Sequence, residues 1–277
     1  MVGKMSRTKF LALALGAVLT VGALAGCGGQ KKEPEKAGQK VFQIGVLQLV
    51  QHGALDDSNR GFVDGLASKG FKDKVNLKID QQNAQGDQSN LKTISQRFVN
   101  NKVDLIFAIA TPAAQSVANE TRTIPIVGAA ITDYKLAKLV QSNEKPGGNV
   151  TGTTDQCPPE RQIDLALKLL PQAKRVGALY SSSEVNSQIQ VAAMKKYAEQ
   201  KGLTVTEATI TNVNDIQQAV RSLIGKVDFI YCPTDNTVSS AMSNIVKLTV
   251  DAKLPVFLGD EGPVKTGGLS VLNITGE

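Results

Sequence analysis

Apolar and polar residues alternate along the chain in two recurring patterns. Short β-branched runs such as 41–50 and 103–110 predict buried strands, and stretches with apolar residues three and four positions apart, such as 57–70, predict amphipathic helices. From residue 41 the patterns take turns: four strands separated by helices up to residue 130, then a new series over 159–260. Such alternation is typical of a parallel sheet covered by helices on both faces.

One stretch occurs twice, as KVDLIFAIATP at 102–112 and KVDFIYCPTDN at 226–236. Each copy leads into a polar turn and a helix, and then into a strand that opens with a proline. The repeat predicts an α/β protein of two similar doubly wound parallel-sheet lobes, with these stretches as the third strand of each. We expect 41–152 together with 265–277 to form lobe 1 and 153–264 to form lobe 2, joined by a hinge of two Gly-rich segments, 145–159 and 261–274.

The last predicted strand has no covering helix after it. We therefore expect the chain to be truncated after Glu277. Two questions stay open: which residues follow Glu277 in a longer chain, and whether lobe 1 is complete.

The first 40 residues have the composition of an export signal and a tether. Basic residues precede the apolar run 10–26, which is shorter than the roughly 20 residues of a transmembrane helix and is typical of a secretory signal peptide. The run ends in LAGC at 24–27, so we predict a lipoprotein signal peptide at 1–26 with lipidation of Cys27. A plain signal anchor is the alternative. The polar segment 27–40 predicts a disordered tether, and the protein is expected on the extracytoplasmic face of the cell membrane.

Composition argues against several classes of function. The formal net charge is +6, but no clustered basic stripe of the kind that binds nucleic acid is present. His52 is the only histidine, and neither a Cys/His metal cluster, a G-x-S-x-G motif nor a glycine-rich phosphate loop occurs. We predict no enzymatic activity, no cofactor and no metal. Cys157 and Cys232 are interpreted as free or buried thiols, with a disulfide as the alternative.

Polar turns come directly after the predicted strands, at the edge where ligands of open parallel sheets bind. If the strand ends of two lobes face each other, they enclose a cleft in which helix N-termini offer N–H groups to an anion. Glu184 and Thr234 lie in these turns, and for several of the polar residues helix capping is the alternative role. The candidate ligand contacts are Gln48, His52, Thr111, Thr132, Ser181, Ser182, Asn186, Ser187, Asp235, Asn236 and Asp260.

Four segments resemble one family of proteins. IGVLQLVQHGALDDSNRGFVDGL at 44–66, ATPAAQ at 110–115, PTDNTV at 233–238 and PVFLGDEGPVKTGGL at 255–269 are similar to substrate-binding lipoproteins of ABC importers, of the tryptophan/tyrosine-binding type. The resemblance implies a type I periplasmic-binding-protein fold that closes on an amino acid, often an aromatic one. It also implies delivery of that ligand to a membrane permease and its ATPase. The fold has three crossovers between lobes, and this chain shows two.

For an amino acid ligand we predict one contact set for each charged group. The turn 181–187 and Thr111 are expected to hold the carboxylate. Asp235 is the first choice for the ammonium group and Asp260 the second. Asp155 is interpreted as a hinge or turn residue.

Tyr180 and Tyr231 stand at strand ends of the second lobe, where they are expected to flank an aromatic side chain or to be ordinary core residues. Two further functions stay open on the same fold: a ligand-sensing protein, and a binding protein for a nucleoside or a sugar. The absence of Trp argues against a sugar, because sugar sites usually carry stacking aromatic rings. The protein is expected to be a monomer.

Overall fold

The computed structural model describes residues 40–259 and Val264, and within them it shows two parallel sheets. The first sheet has the order β2-β1-β3-β4-β5 and the second the order β7-β6-β8-β9. The strands of the first sheet are β1 (Phe42–Gln48), β2 (Leu77–Asn83), β3 (Leu105–Ile109), β4 (Ile126–Ile131) and β5 (Val150–Thr154). Those of the second sheet are β6 (Arg175–Ser181), β7 (Thr204–Ile210), β8 (Phe229–Cys232) and β9 (Val256–Leu258).

Helices connect successive strands, except that β4 and β5 are joined by residues 132–149 without a helix; parallel pairing requires such crossover connections. A 3-10 turn at Val213–Asp215 precedes the sixth helix. Within the described part of the chain, none of the helices has the length and apolar character needed to cross a membrane. The helices are α1 (Gly53–Ser68), α2 (Gln88–Asn100), α3 (Thr111–Glu120), α4 (Pro159–Leu169), α5 (Val185–Gln200), α6 (Ile216–Leu223), α7 (Asn236–Ser240) and α8 (Met242–Asp251).

The two sheets share one strand order, which confirms the predicted fold class. In each series the first strand lies between the second and the third, and the fourth pairs with the third. The repeated stretch supplies β3 and β8, the third strand of each series. The lobe boundaries stay a prediction, and the segment 265–277, the expected truncation and the predicted leader at 1–26 lie outside the described residues.

The aspartate of the repeated KVD sequence has the same role in both sheets. Asp104 accepts a hydrogen bond from the Gln43 backbone N–H at 2.8 Å, which ties the start of β3 to the start of β1. Asp228 accepts from the backbone N–H groups of Lys174 and Arg175 at 2.8 and 2.9 Å, which ties β8 to β6. The Arg175 guanidinium also holds the pKa of Asp228 at about 2. The repeat therefore reflects a shared way of joining the third strand to the first.

Side chains of β8 alternate between the two faces of the second sheet. Phe229 and Tyr231 pack with Phe257 under α4 and α5, whereas Ile230 and Cys232 pack on the side of α6 and α8. Tyr231 is therefore a core residue. Cys157 and Cys232 are buried thiols that are not joined by a disulfide, as the sequence indicated.

β5 corrects the sequence-based assignment, which placed residues 145–159 in a hinge. Val150 to Thr154 pair in parallel with β4, although the register shifts between Gly128 and Ile131. Only Val150 of this strand is buried, so it lacks the apolar alternation by which strands are recognised. The predicted hinge segment is therefore shorter at this point of the chain, beginning at Asp155.

Candidate functional site

A cavity of about 440 Å³ lies between the carboxyl ends of the two sheets. One wall is formed by the first turns of α1 and the ends of β4 and β5. The opposite wall is formed by the start of α5, the turn between β8 and α7, and Gly259. The volume falls in the range of about 300–1,000 Å³ that is usual for small-molecule sites. The location agrees with the rule for open parallel sheets.

Five of the predicted contacts line this cavity. These residues are His52, Thr132, Asn186, Asp235 and Asn236.

Gln48, Thr111, Ser181, Ser182 and Ser187 do not line the cavity. Two of these residues make hydrogen bonds close to their own strands. Gln48 donates to the Val50 carbonyl and to Asp56, and Ser182 donates to the Ile210 carbonyl. Asp260 and Cys27 lie outside the described residues.

The predicted aromatic contacts are also absent from the described lining of the cavity. Tyr180 donates from its hydroxyl to Glu207 at 2.7 Å, and burial together with this bond raises its pKa to about 12. Tyr231 is fully buried in the core, which raises its pKa well above the usual value. Both tyrosines therefore have the alternative role, that of core residues. The cavity is lined by small residues such as Ala54, Ala129 and Ala130 rather than by these tyrosines, which leaves space for a bulky ligand side chain.

Asp235 is engaged by its own lobe. Its two carboxylate oxygens accept from the backbone N–H groups of Ser181 at 2.6 Å and Val238 at 2.8 Å, and the second bond caps α7. Burial and the neighbouring Glu184 carboxylate raise the pKa of Asp235 above its usual range. A carboxyl group whose two oxygens already accept backbone hydrogen bonds is poorly suited to hold a ligand ammonium group as well.

Glu184 organises the floor of the cavity without lining it. Its carboxylate accepts from the side-chain amide of Asn236 at 2.6 Å and from the backbone and hydroxyl of Thr237 at 2.9 and 2.8 Å. These bonds fix the first turn of α7 against the start of α5. Because the Asn236 amide nitrogen donates to Glu184, its oxygen accepts from His52 Nε2 at 3.2 Å across the cavity.

Hydrogen-bond acceptors are present on both walls of the cavity. Asn186 donates from its amide nitrogen to the Thr234 carbonyl at 2.8 Å, while its buried oxygen has no hydrogen-bond partner among the described residues. Asp155 comes directly after β5, lines the cavity and has a buried Oδ1 atom. The sequence pointed to Asn186 but treated Asp155 as a hinge residue, because β5 was not recognised. Together these groups suit a cationic ligand group.

The start of α1 supplies hydrogen-bond donors at another part of the wall. The helical ladder begins with the bond from Asp56 N–H to the His52 carbonyl at 3.0 Å, so the N–H groups of residues 53–55 precede it. The side chain of His52, the residue before the helix, makes no capping bond. Ala54 and Leu55 line the cavity. The N-terminus of this 16-residue helix therefore faces the site with partial positive charge, which suits a carboxylate.

Comparison with known proteins places the chain among transport proteins. The family described as ABC transporter substrate binding protein matches residues 43–276. A tyrosine-binding protein of Clostridioides difficile is 42% identical over 274 residues, which cover 96% of this chain and 79% of that protein. A leucine-binding protein from Thermotoga maritima shares the fold, with a TM-score of 0.62 at 15% identity over 82% of this chain and 67% of that one. This likeness confirms the predicted type I fold.

Two solved structures differ in their similarity to the present arrangement. An ABC domain from Streptococcus pneumoniae in complex with L-Trp has a TM-score of 0.79 at 44% identity, covering 84% of this chain and 79% of that one. The ligand-free, open structure of a substrate-binding protein with adhesive properties from Clostridium difficile has a TM-score of 0.58 at 45% identity, covering 84% and 80%. The chain belongs to the ABC transporter substrate-binding protein family.

Proposed function

We propose that the cavity captures an amino acid with an aromatic side chain, which the protein delivers to an ABC permease and its ATPase. The observation that carries the proposal is the polarity of the cavity lining, with Asp155 and Asn186 as acceptors and helix N–H donors at α1. A zwitterion carries the two matching charges. The relatives support an aromatic side chain, since one is named tyrosine-binding and another was solved with L-Trp.

The ligand is oriented by its two charged groups. The ammonium group faces Asp155 and the unpartnered oxygen of Asn186, and the carboxylate faces the N-terminus of α1. This assignment reverses the expected role of the 181–187 turn, in which the amide of Asn186 is already used. The side chain of the ligand occupies the part of the cavity lined by Leu55, Ala129 and Ala130.

The location of the protein is inferred from the family and from the leader sequence. The family is one of extracytoplasmic transport proteins rather than enzymes. We further infer that the lipid attached to Cys27 holds the protein at the membrane, and that residues 27–40 act as the tether. The LAGC sequence and the polar composition of that segment support this inference.

Ligand analogues that lack one charge test the proposal. In thermal unfolding of the purified protein, L-tryptophan or L-tyrosine is expected to add about 2.7 kcal/mol of stability at a hundredfold excess over the dissociation constant. Tryptamine, which lacks the carboxylate, and indole-3-propionate, which lacks the ammonium group, are expected to bind at least about tenfold more weakly, because each leaves one end of the cavity without its partner.

Nucleosides and sugars serve as the comparison set in the same measurement. Stabilisation by a nucleoside or a sugar, with no response to any amino acid, would favour the alternative binding functions. Equal binding of tryptamine and L-tryptophan would contradict the role given to α1.

A further inference from the structure

A buried glutamine joins the two sheets beside the cavity without lining it. Gln190 lies on α5, is 4% exposed and is absent from the cavity wall. Its amide nitrogen donates to Thr132 Oγ1 at 3.2 Å, at the end of the first sheet, and also to Thr234 Oγ1 in the second sheet. Its amide oxygen accepts from the Thr234 backbone N–H at 3.2 Å. The two threonine hydroxyls lie 3.3 Å apart.

These bonds divide into two classes according to the elements that they join. The bonds between Gln190 and Thr234 lie within the part of the chain that forms the second sheet. The bond from Gln190 to Thr132 crosses to the first sheet, as does the contact between the threonine hydroxyls. If the sheets move apart, the first class persists and the second is lost. The crossing bonds therefore favour the arrangement in which the cavity is enclosed.

We propose that Gln190 is a positioning residue for ligand capture, which acts through Thr132 to hold the two sheets together around the cavity. The choice of ligand rests on the proposed function, but the joining of the sheets does not. A protein whose binding-competent arrangement is only partly populated binds its ligand more weakly by that fraction. Gln190 thereby sets affinity and the rate of ligand release without touching the ligand.

The bond from His52 to Asn236 also crosses between the sheets. Both of those residues line the cavity, so their replacement changes the ligand contacts as well as the joining of the sheets. Replacement of Gln190 tests the joining of the sheets alone, because Gln190 does not line the cavity and so makes no ligand contact that would be lost.

The test compares two glutamines of the same helix. Gln190→Met keeps the length of the side chain and removes its hydrogen bonds. Gln188→Met is the control, because Gln188 is exposed and donates to the Ser182 carbonyl of its own lobe at 2.7 Å. Thr132→Val removes the crossing bond from the other side and provides a second route if Gln190→Met fails to fold.

The separation of the sheets is read from two spin labels. The label sites are two exposed lysines, Lys69 immediately after α1 and Lys247 on α8, each changed to cysteine in a background with Cys27→Ser. Distances between the labels are measured without ligand by electron–electron double resonance. Gln190→Met and Thr132→Val are expected to shift the population towards longer distances, and Gln188→Met is expected to match the parent.

Ligand release gives the second readout. In stopped-flow binding of L-tryptophan, Gln190→Met is expected to raise the dissociation rate about tenfold. In the label measurement without ligand, the double variant Gln190→Met with Thr132→Val is expected to lengthen the distances little more than either single variant, because both changes remove the same bond.

Unchanged label distances in both Gln190→Met and Thr132→Val would overturn the proposal, whatever the effect on binding. If the parent protein binds no amino acid, the proposed function fails, and the label distances alone decide the role of Gln190. Additive effects of the two changes on the label distances in the double variant would also contradict the proposal, because the two residues would then act separately.

Discussion

Asp155→Asn is expected to weaken the binding of L-tryptophan about a hundredfold. The substitution keeps the shape of the side chain and removes the charge that faces the ligand ammonium group in the cavity. Loss of a partner for a buried charged group costs about 1.5–3 kcal/mol, and a hundredfold change corresponds to about 2.7 kcal/mol. Isothermal titration calorimetry measures the dissociation constant directly.

Two further aspartates make this prediction specific. Asp251→Asn removes an equal charge from the exposed end of α8 and is expected to leave affinity unchanged. Asp235→Asn disturbs the cap of α7 and the bond to Ser181, so it is expected to lower the melting temperature. If Asp155→Asn binds L-tryptophan as tightly as the parent does, the ammonium group does not meet Asp155.

Gly152→Ala is expected to lower the free energy of unfolding by about 3 kcal/mol, the cost of overpacking at a site that cannot relax. A Cβ atom at Gly152 would lie 2.1 Å from the Gly128 carbonyl oxygen and 2.2 Å from the Tyr134 hydroxyl. The first of these atoms is backbone of the neighbouring strand β4, so relief requires β5 to move. Because β5 leads directly to Asp155, affinity for L-tryptophan is expected to fall as well. Urea denaturation gives the change in stability.

Gly148→Ala is the matched control for this strand. No atom lies within 4 Å of the position that its Cβ would occupy, and it precedes β5 by two residues. We expect its stability to stay within about 0.5 kcal/mol of the parent, as for most surface substitutions. Equal stability of the two alanine variants would show that β5 is not packed against β4 as described.

Most of the fold could be predicted from the sequence because its signals are local. Buried strands are continuous apolar runs, and the KVD sequence marks the third strand of both series, where Asp104 and Asp228 make equivalent bonds. β5 could not be predicted in this way. Its Thr-rich sequence is exposed, and it becomes a strand only because β4 offers an edge for pairing.

The turns at the cavity were predicted from the sequence, but only five of the predicted side chains line it. The strand ends lie at the cavity, as topology requires. Which polar group of a turn faces the cavity depends on long-range bonds. Asp235 accepts a hydrogen bond from the backbone N–H of Ser181, which lies far away in the sequence. The amide nitrogen of Asn186 donates to the carbonyl of Thr234. Sequence spacing does not reveal these bonds, so the sequence alone gave no reason to prefer Asp155, the proposed partner of the ammonium group, to Asp235.

A crystal structure of the protein grown with saturating L-tryptophan tests the central claim most directly. The account predicts density for the amino acid in the cavity between Thr132, Asp155 and Asn186, with its nitrogen about 2.7–3.2 Å from a carboxylate oxygen of Asp155 and its carboxylate at the start of α1. A ligand bound elsewhere, or bound in the cavity with its carboxylate towards Asp155, would contradict it.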